Sequence, residues 1–334
     1  MRVLAWILGV FLLLALAAAG LFAWAVQQYR APGPLAAERN ILIPRGYGVQ
    51  EIAEQLEVEK VVSSRWLVLA GVRFTEGRPL RAGEYAFPAG ISAEGVVELL
   101  RSGRTVVRRL TVAEGLTSAQ VVALIQAEPA LSGEMGSVPG EGTLLPDTYH
   151  FSWGDSRQSV VERMQKAMRD AVAELWAKRA EGLPLERPEQ AVVLASIVEK
   201  ETGVAAERAR VAGVFANRLR RNMRLQSDPT VVYGLTNGQG ALGRPLTRAD
   251  WRHASPFNTY QIDGLPPKPI ANPGRASLAA AMDPERHDYL YFVADGSGGH
   301  AFARTLAEHN RNVARWRQVQ RERGEPADAV AAEE

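Results

Sequence analysis

Ala191-Val-Val-Leu-Ala-Ser-Ile-Val-Glu-Lys-Glu-Thr-Gly203 has the composition of an interior helix that ends on carboxylates. Pro188 and Glu189 suit a first helical turn, and Gly203 suits a stop. At about 100° per residue, Glu201 falls within roughly 20° of the mean direction of Val192, Val193, Leu194, Ile197 and Val198. Including Ala191 and Ala195 loosens this to about 50°, and Glu199 still lies nearly opposite. One of the two glutamates therefore shares the apolar stripe. A carboxyl group against apolar walls favours its neutral form, as a general acid working near neutral pH requires. The plainer reading is that Glu201 is the polar edge of a helix end, and the flanking sequence must decide between the two.

Downstream, the chain turns irregular from Met223 to about Pro273, rich in Pro, Gly and Asn. A loop of that length in a globular domain is usually functional or disordered, and its aromatics and prolines argue against disorder. It holds Leu225-Gln-Ser-Asp-Pro-Thr-Val-Val-Tyr233, Ser255-Pro-Phe-Asn-Thr-Tyr260 and Gly264-Leu-Pro-Pro-Lys-Pro-Ile-Ala-Asn-Pro-Gly274. Singly, each has a local explanation. Asp228 ahead of Pro229 and Thr230 suits the cap of a short helix to Tyr233, and Asn258-Thr259-Tyr260 suits an Asx turn. The proline run suits a rigid strut, while His300 and Phe302 suit the closing strand of a hairpin. Together they describe rigid loops offering amides, hydroxyls and aromatic faces, which fit a sugar-binding cleft.

On either side of that loop the periodicity is helical: Val160 to Arg179, then Glu207 to Arg221 with Val211, Val214, Phe215 and Leu219 on one stripe. Asp288-Tyr-Leu-Tyr-Phe-Val-Ala294 reads as a strand, Asp295 to His300 as a turn, and Leu306 to Arg321 as a last helix. Upstream, a pattern recurs three times, around Gly46, Gly90 and Gly115: a short strand, a glycine turn, then a helix with apolar residues six and ten positions after that glycine. Gly48, Ser92 and Thr117 occupy the helix caps. The uneven spacing of the copies excludes a solenoid. The first two copies resemble a LysM-type carbohydrate-binding module, although a generic α+β packing unit accounts for them equally well. Glu128 to Gly142 reads as a hinge or surface loop, and Leu144 to Phe151 as a strand-like segment opening the next domain.

The chain has 334 residues, enough for two domains. Lys+Arg (39) nearly balances Asp+Glu (37) for a net charge of +2, so nothing suggests a nucleic-acid partner. The absence of cysteine excludes disulfides, thiolate metal sites and a cysteine nucleophile. Val3 to Val26 carries no charge and, at roughly 24 residues, spans about 30 Å of hydrocarbon as a helix. Trp24 and Tyr29 sit where an interfacial aromatic belt belongs. A cleavable signal peptide ending near Ala17-Ala18-Ala19 is the rival reading. The apolar run continuing through Leu21, Phe22, Ala23 and Trp24 favours a retained anchor, with the bulk of the chain outside the cytoplasm.

Ala195-Ser-Ile-Val-Glu-Lys-Glu-Thr202, Arg224-Leu-Gln-Ser-Asp-Pro-Thr-Val-Val-Tyr-Gly234, Asn258-Thr-Tyr260, Gly264-Leu-Pro-Pro267, Tyr291-Phe-Val-Ala-Asp295 and Gly299-His-Ala-Phe302 closely resemble the motifs of the endolytic murein transglycosylases, the MltG or YceG-like family. The similarity runs from the anchor to about Arg315. It departs from the family pattern at Ser227, where Thr is often seen, and at Gly203, where Ala occurs. The resemblance implies an α+β fold with a single N-terminal transmembrane helix (residues 1–28) and a LysM-like membrane-proximal region (38–127). A mixed α+β catalytic domain (143–320) and a disordered tail (321–334) would complete it. It implies catalysis by one glutamate, the second of the Glu-Lys-Glu triplet, here Glu201, without cofactor or metal. The β-1,4 bond between N-acetylmuramic acid and N-acetylglucosamine would be cut to leave a 1,6-anhydro end.

The glycan-binding residues it implies are Gln226, Asp228, Thr230, Tyr233, Asn258, Thr259, Tyr260, Pro266, His300 and Phe302. The partners it implies are peptidoglycan strands and the cytoplasmic membrane, with peptidoglycan synthases as a further expectation and no nucleic acid. A lysozyme-like hydrolase would need a second carboxylate, for which Asp228 is the best candidate. A non-catalytic envelope scaffold, with Glu201 only capping its helix, is the reading from another class.

Overall fold

The computed structural model describes residues 2–323 as a mixed α+β chain with a long N-terminal helix. Helix α1 (Arg2–Arg30) is apolar, and its stretch Trp6–Arg30 is long enough to cross a membrane, with none of that stretch buried in protein. By compactness the chain divides into two units, residues 1–108 with 150–155, which includes α1, and residues 109–149 with 156–334.

The first unit runs β1 (Arg39–Ile43), α2 (Val49–Val58), α3 (Arg65–Phe74), β2 (Gly83–Phe87) and α4 (Ala93–Ser102). Strands β1 and β2 pair antiparallel, with Ile41 opposite Tyr85 and Ile43 opposite Gly83. Alternate side chains Ile41, Ile43, Tyr85 and Phe87 turn inward onto Leu56, Val96 and Leu100, the period-two burial of a one-faced sheet. Gly46 and Gly90 adopt φ of +91° and +66°, a region costly for any residue with a Cβ, which is why each strand-to-helix turn carries glycine there. Ser92 Oγ accepts from Gly95 N at 3.1 Å and caps α4, while Gly48 holds the equivalent place before α2. The first two copies of the repeated pattern are thus β1–α2 and β2–α4. Helix α3, whose apolar positions the sequence reading left unassigned, packs against both α2 and α4.

Strand β3 (Arg108–Thr111) and helix α5 (Ser118–Ala127) make the third copy; β3 pairs with β4 (Thr148–Phe151). Thr117 and Gln120 form a reciprocal capping box at the start of α5. Compactness places this copy in the second unit, so the division falls at Arg108 and not at 127. The cause is Asn272, which is fully buried. Its Oδ1 accepts from Leu144 N at 3.0 Å, and its Nδ2 donates to Leu116 O at 3.1 Å and Ser118 Oγ at 3.2 Å.

The second unit continues with α6 (Arg157–Ala177), α7 (Pro188–Glu201), α8 (Arg208–Arg220), α9 (Asp228–Thr236), the short α10 (Arg248–Trp251) and α11 (Arg275–Met282). It ends with the hairpin β5 (Tyr291–Ala294)–β6 (His300–Ala303) and α12 (Leu306–Arg323). Helix α7 is the centre of the core. Every residue from Ala191 to Val198 is buried, among Phe215, Leu278 and Met282 of the flanking helices. The stripe expected on α7 is therefore a full circumference, because α11, absent from the sequence reading, covers its second side. The one polar side chain in that span, Ser196, donates to Val193 O at 2.7 Å and accepts from Ile270 N at 3.0 Å, tying the proline-rich segment to the helix. The disordered tail expected over 321–334 lies outside the described residues from 324 onward, and Arg321–Arg323 still belong to α12.

Candidate active site

Glu201 is the last residue of α7, and its carboxyl enters a cavity of about 180 Å³ walled by Phe215, Leu225, Phe292 and Val293. Arg218, Gln226, Asp228, Tyr260 and His309 supply the rest of the polar lining. Burial pushes the Glu201 carboxyl up to about 7; the Asp228 anion adds to the rise, while the Ser227 hydroxyl and the Arg218 guanidinium oppose it. Ser227 Oγ donates to Glu201 Oε1 at 2.5 Å. The carboxyl group is thus mostly neutral below pH 7, held by a single hydroxyl, and able to give up its proton into the cavity.

A hydroxyl relay fixes Ser227. Ser227 N donates to Thr259 Oγ1 at 2.9 Å, and Ser227 O accepts from Thr230 Oγ1 at 2.6 Å. Thr230 has one proton, so the 2.8 Å contact between the two threonine hydroxyls has Thr259 donating. Gln226, next to this relay, takes φ of +48°. A left-handed conformation in a non-glycine residue costs on the order of 1–3 kcal/mol and occurs where the surroundings over-determine it. Here Gln226 N donates to Thr259 O at 3.1 Å, and Gln226 Oε1 accepts from Arg218 Nη1 at 3.0 Å.

Asp228 opens α9 at the cavity rim. Its Oδ1 accepts from Trp251 Nε1 and from Tyr260 OH, both at 2.8 Å. Burial and Asp228 together raise the Tyr260 phenol well above its usual range, so it remains a donor. Asn258 orients this pair. Its Nδ2 donates to the carbonyls of Trp251 at 3.0 Å and His253 at 2.8 Å, and its Oδ1 accepts from Tyr260 N at 3.0 Å, the Asx turn that the sequence suggests.

Of the residues expected to contact glycan, Gln226, Asp228 and Tyr260 line the cavity with Glu201. Tyr233 lines a second, larger cavity that shares Asp228, and its ring lies tilted against that of Phe257 with centroids 4.8 Å apart. The other expected residues line neither cavity. Thr230, Asn258 and Thr259 are buried, with their polar atoms used within the protein, and Pro266 is buried as well. They hold the loops beneath the cavity and do not face it. His300 pairs through Nδ1 with Glu207 Oε2 at 2.7 Å and packs edge-on against Phe292, and Phe302 backs the same ring. Both support a wall of the site from behind.

Three contributors escaped the sequence reading. Ser227 stood out only as a departure from the family pattern. Arg218 lies three residues after Phe215 and four after Val214, on the apolar face of α8, and its place on that stripe was the signal. It is buried, with Nε donating to Leu290 O at 2.7 Å and Nη1 to Leu225 O at 3.0 Å. Trp251 gave no local signal, since only the folded loop brings it to Asp228. Among the described residues, no group of three acidic or histidine side chains is placed to hold a metal ion.

Comparison with known proteins bears out the family resemblance read from the sequence. An endolytic murein transglycosylase of Bacillus subtilis (strain 168) is 31% identical over 307 residues, covering 81% of this chain and 83% of that protein. One from Streptococcus pneumoniae serotype 2 (strain D39 / NCTC 7466) is 28% identical over 321 residues, and the match spans 57% of that longer protein. A solved YceG-like protein of Listeria monocytogenes aligns with a TM-score of 0.50 at 31% identity, covering 83% of this chain and 99% of that one. The model of the YceG-like family matches residues 41–315, and with most of its length so matched the chain belongs to that family.

Proposed function

We propose that this protein is an endolytic peptidoglycan lytic transglycosylase, a lyase that cuts the β-1,4 bond between N-acetylmuramic acid and N-acetylglucosamine. The observation that carries the reading is the buried Glu201 carboxyl, raised to about 7 in a cavity with one apolar wall of Phe215, Leu225, Phe292 and Val293. The names of the relatives support the same substrate. Glu201 gives its proton to the glycosidic oxygen as the bond from the muramic C1 breaks, and the N-acetylglucosamine side leaves as an alcohol. The Glu201 carboxylate then takes the proton of the muramic 6-hydroxyl as O6 closes on C1. The acid is restored, a 1,6-anhydro ring is formed, and no water is consumed. A hydrolase would need a second carboxylate to attack C1 or to activate water. Asp228 lines the same cavity, but its Oδ1 already accepts two hydrogen bonds, which favours the one-acid route.

Helix α1 anchors the chain in the cytoplasmic membrane with the catalytic unit on the extracytoplasmic side. We assign the first unit a LysM-like role in placing glycan; its two strand–turn–helix copies support this. An enzyme so tethered meets strands as they are made, ends their elongation, and has peptidoglycan synthases as its natural partners. The test is mass spectrometry of products from purified glycan strands. The wild type should leave anhydro ends, one water lighter than hydrolysed ends, and Glu201→Gln should lower turnover by about 10⁴, the upper end for general acid–base help. Reducing ends of full mass would instead make the protein a hydrolase and Asp228 its second carboxylate. An active Glu201→Gln protein would remove Glu201 from the chemistry.

A further inference from the structure

The cavity at Glu201, about 180 Å³, lies below the roughly 300–1,000 Å³ of ordinary small-molecule sites. A polymer cut there needs further room. The second cavity, about 550 Å³, shares Asp228 with the first and falls within that range. Its walls include Val232 and Tyr233 of α9, together with Ile270. The charges around it are unequal. Arg244 is neutralised by Asp250, with Nη1 and Nη2 at 2.7 and 3.0 Å from the two carboxylate oxygens. Asp228 keeps its negative charge, but its Oδ1 is held by the neutral donors Trp251 Nε1 and Tyr260 OH. Lys200 forms no ion pair among the described residues. Its Nζ donates only to the carbonyl of Gly115, at 3.3 Å, and a carbonyl does not cancel a charge. The cavity therefore presents one ammonium without an ion-pair partner among the described residues, beside the apolar walls and next door to the bond that is cut.

Resting on the transglycosylase reading, we propose that Lys200 is a specificity residue that binds a carboxylate of the stem peptide carried by muramic acid. The protein would then prefer peptide-bearing strands to bare glycan. An acidic peptide hanging from the sugar ring matches the lining, in which the ammonium takes a carboxylate and Val232, Tyr233 and Ile270 take the aliphatic side chains. Adjacent residues of one helix then divide the work. Glu201 serves the glycosidic bond in one cavity, and Lys200 reads the substituent in the other. Lys200 is exposed, so its replacement leaves the core of α7 untouched.

The experiment uses the full chain in detergent with two substrates: strands bearing stem peptides, and the same strands after amidase treatment. The second set keeps only the lactyl carboxylate on the sugar. For Lys200→Gln, kcat/KM on peptide-bearing strands should fall about ten- to a hundredfold, the size of a lost charge-assisted hydrogen bond. The wild-type preference for those strands should collapse towards parity. Lys200→Arg, which keeps the charge, should retain most of the preference. Equal losses on both strand types would overturn the assignment in favour of a general structural role. A larger loss on amidase-treated strands would overturn it in favour of the lactyl carboxylate. A wild-type protein that makes anhydro ends on neither substrate would instead overturn the transglycosylase reading, and the Lys200 assignment with it.

Discussion

Glu201 titrates in two environments, and the difference between them is measurable. Its carboxyl ionises near 4.5 when solvated and near 7 in the fold, where burial disfavours the anion. The folded state thus binds more protons than the unfolded chain between those values. Wild-type stability is undiminished below about pH 4.5, falls as pH rises through 7, and stays reduced above. The full loss is on the order of 3 kcal/mol. Glu201→Gln has no such titration, so its melting temperature relative to wild type should climb between pH 4.5 and pH 8. A difference that stays flat across that range would mean that the carboxyl is solvated. Cleavage should follow the acid form, with kcat/KM declining above about pH 7. At this scale the sequence was informative where a residue type conflicted with its surroundings: a carboxylate on an apolar stripe pointed to Glu201. The same conflict marks Arg218, overlooked because a single arginine on an amphipathic helix also fits an exposed edge. Ser227 and Trp251 posed no conflict and became visible only through their partners.

Helices set what each side chain can reach, and α7 shows both the strength and the limit of periodicity. Its extent and its proline start were legible, and the opposition of Glu199 to Glu201 holds in the structure. Periodicity did not show that the opposite side is also covered. Glu199 Oε2 accepts from Gly274 N at 2.9 Å, at the start of α11. Helix α11, with few strong apolar residues and no polar face, lacks a readable stripe, and α10 is a single turn; both are set by what they pack against. Glu199 also acts on Glu114, whose carboxyl is raised by burial and then by the Glu199 charge. Glu199→Gln keeps an acceptor for Gly274 N and loses only a charge at a helix N-terminus, so it should cost less than about 1 kcal/mol. Glu199→Ala leaves the buried Gly274 amide without its partner and should cost about 1–3 kcal/mol. Chemical denaturation of the two variants separates these values, and both should still form anhydro product. Loss of product in Glu199→Gln, with stability intact, would transfer a catalytic role to the other face of α7.

The division of the whole chain depends on contacts that no local window contains. Three similar strand–turn–helix copies lie in sequence, yet the third joins the catalytic unit because Asn272, more than a hundred residues away, holds Leu116 and Ser118. At the other end, α1 exposes Leu12, Leu13, Phe22 and Trp24 at 59–70% of their surface, an apolar load that water disfavours at about 25 cal/mol per Å². The aromatic at its end is differently placed. A Cβ at Gly71 would come within 2.5 Å of the Tyr29 ring, so that ring lies directly on the α3 backbone, and Arg30 reaches Glu94 at 3.3 Å. The boundary between anchor and folded unit thus falls before Tyr29. A chain lacking residues 2–26 keeps both contacts and should fractionate as a soluble protein. The full chain should resist alkaline extraction from membranes, and both should make anhydro ends on a short soluble strand. Truncation past Arg30 should in addition lower the melting temperature of the first unit, since it uncovers Gly71. N-terminal sequencing of the membrane-extracted protein provides the opposing outcome: a start near Leu21 would show that α1 is cleaved and does not anchor the chain.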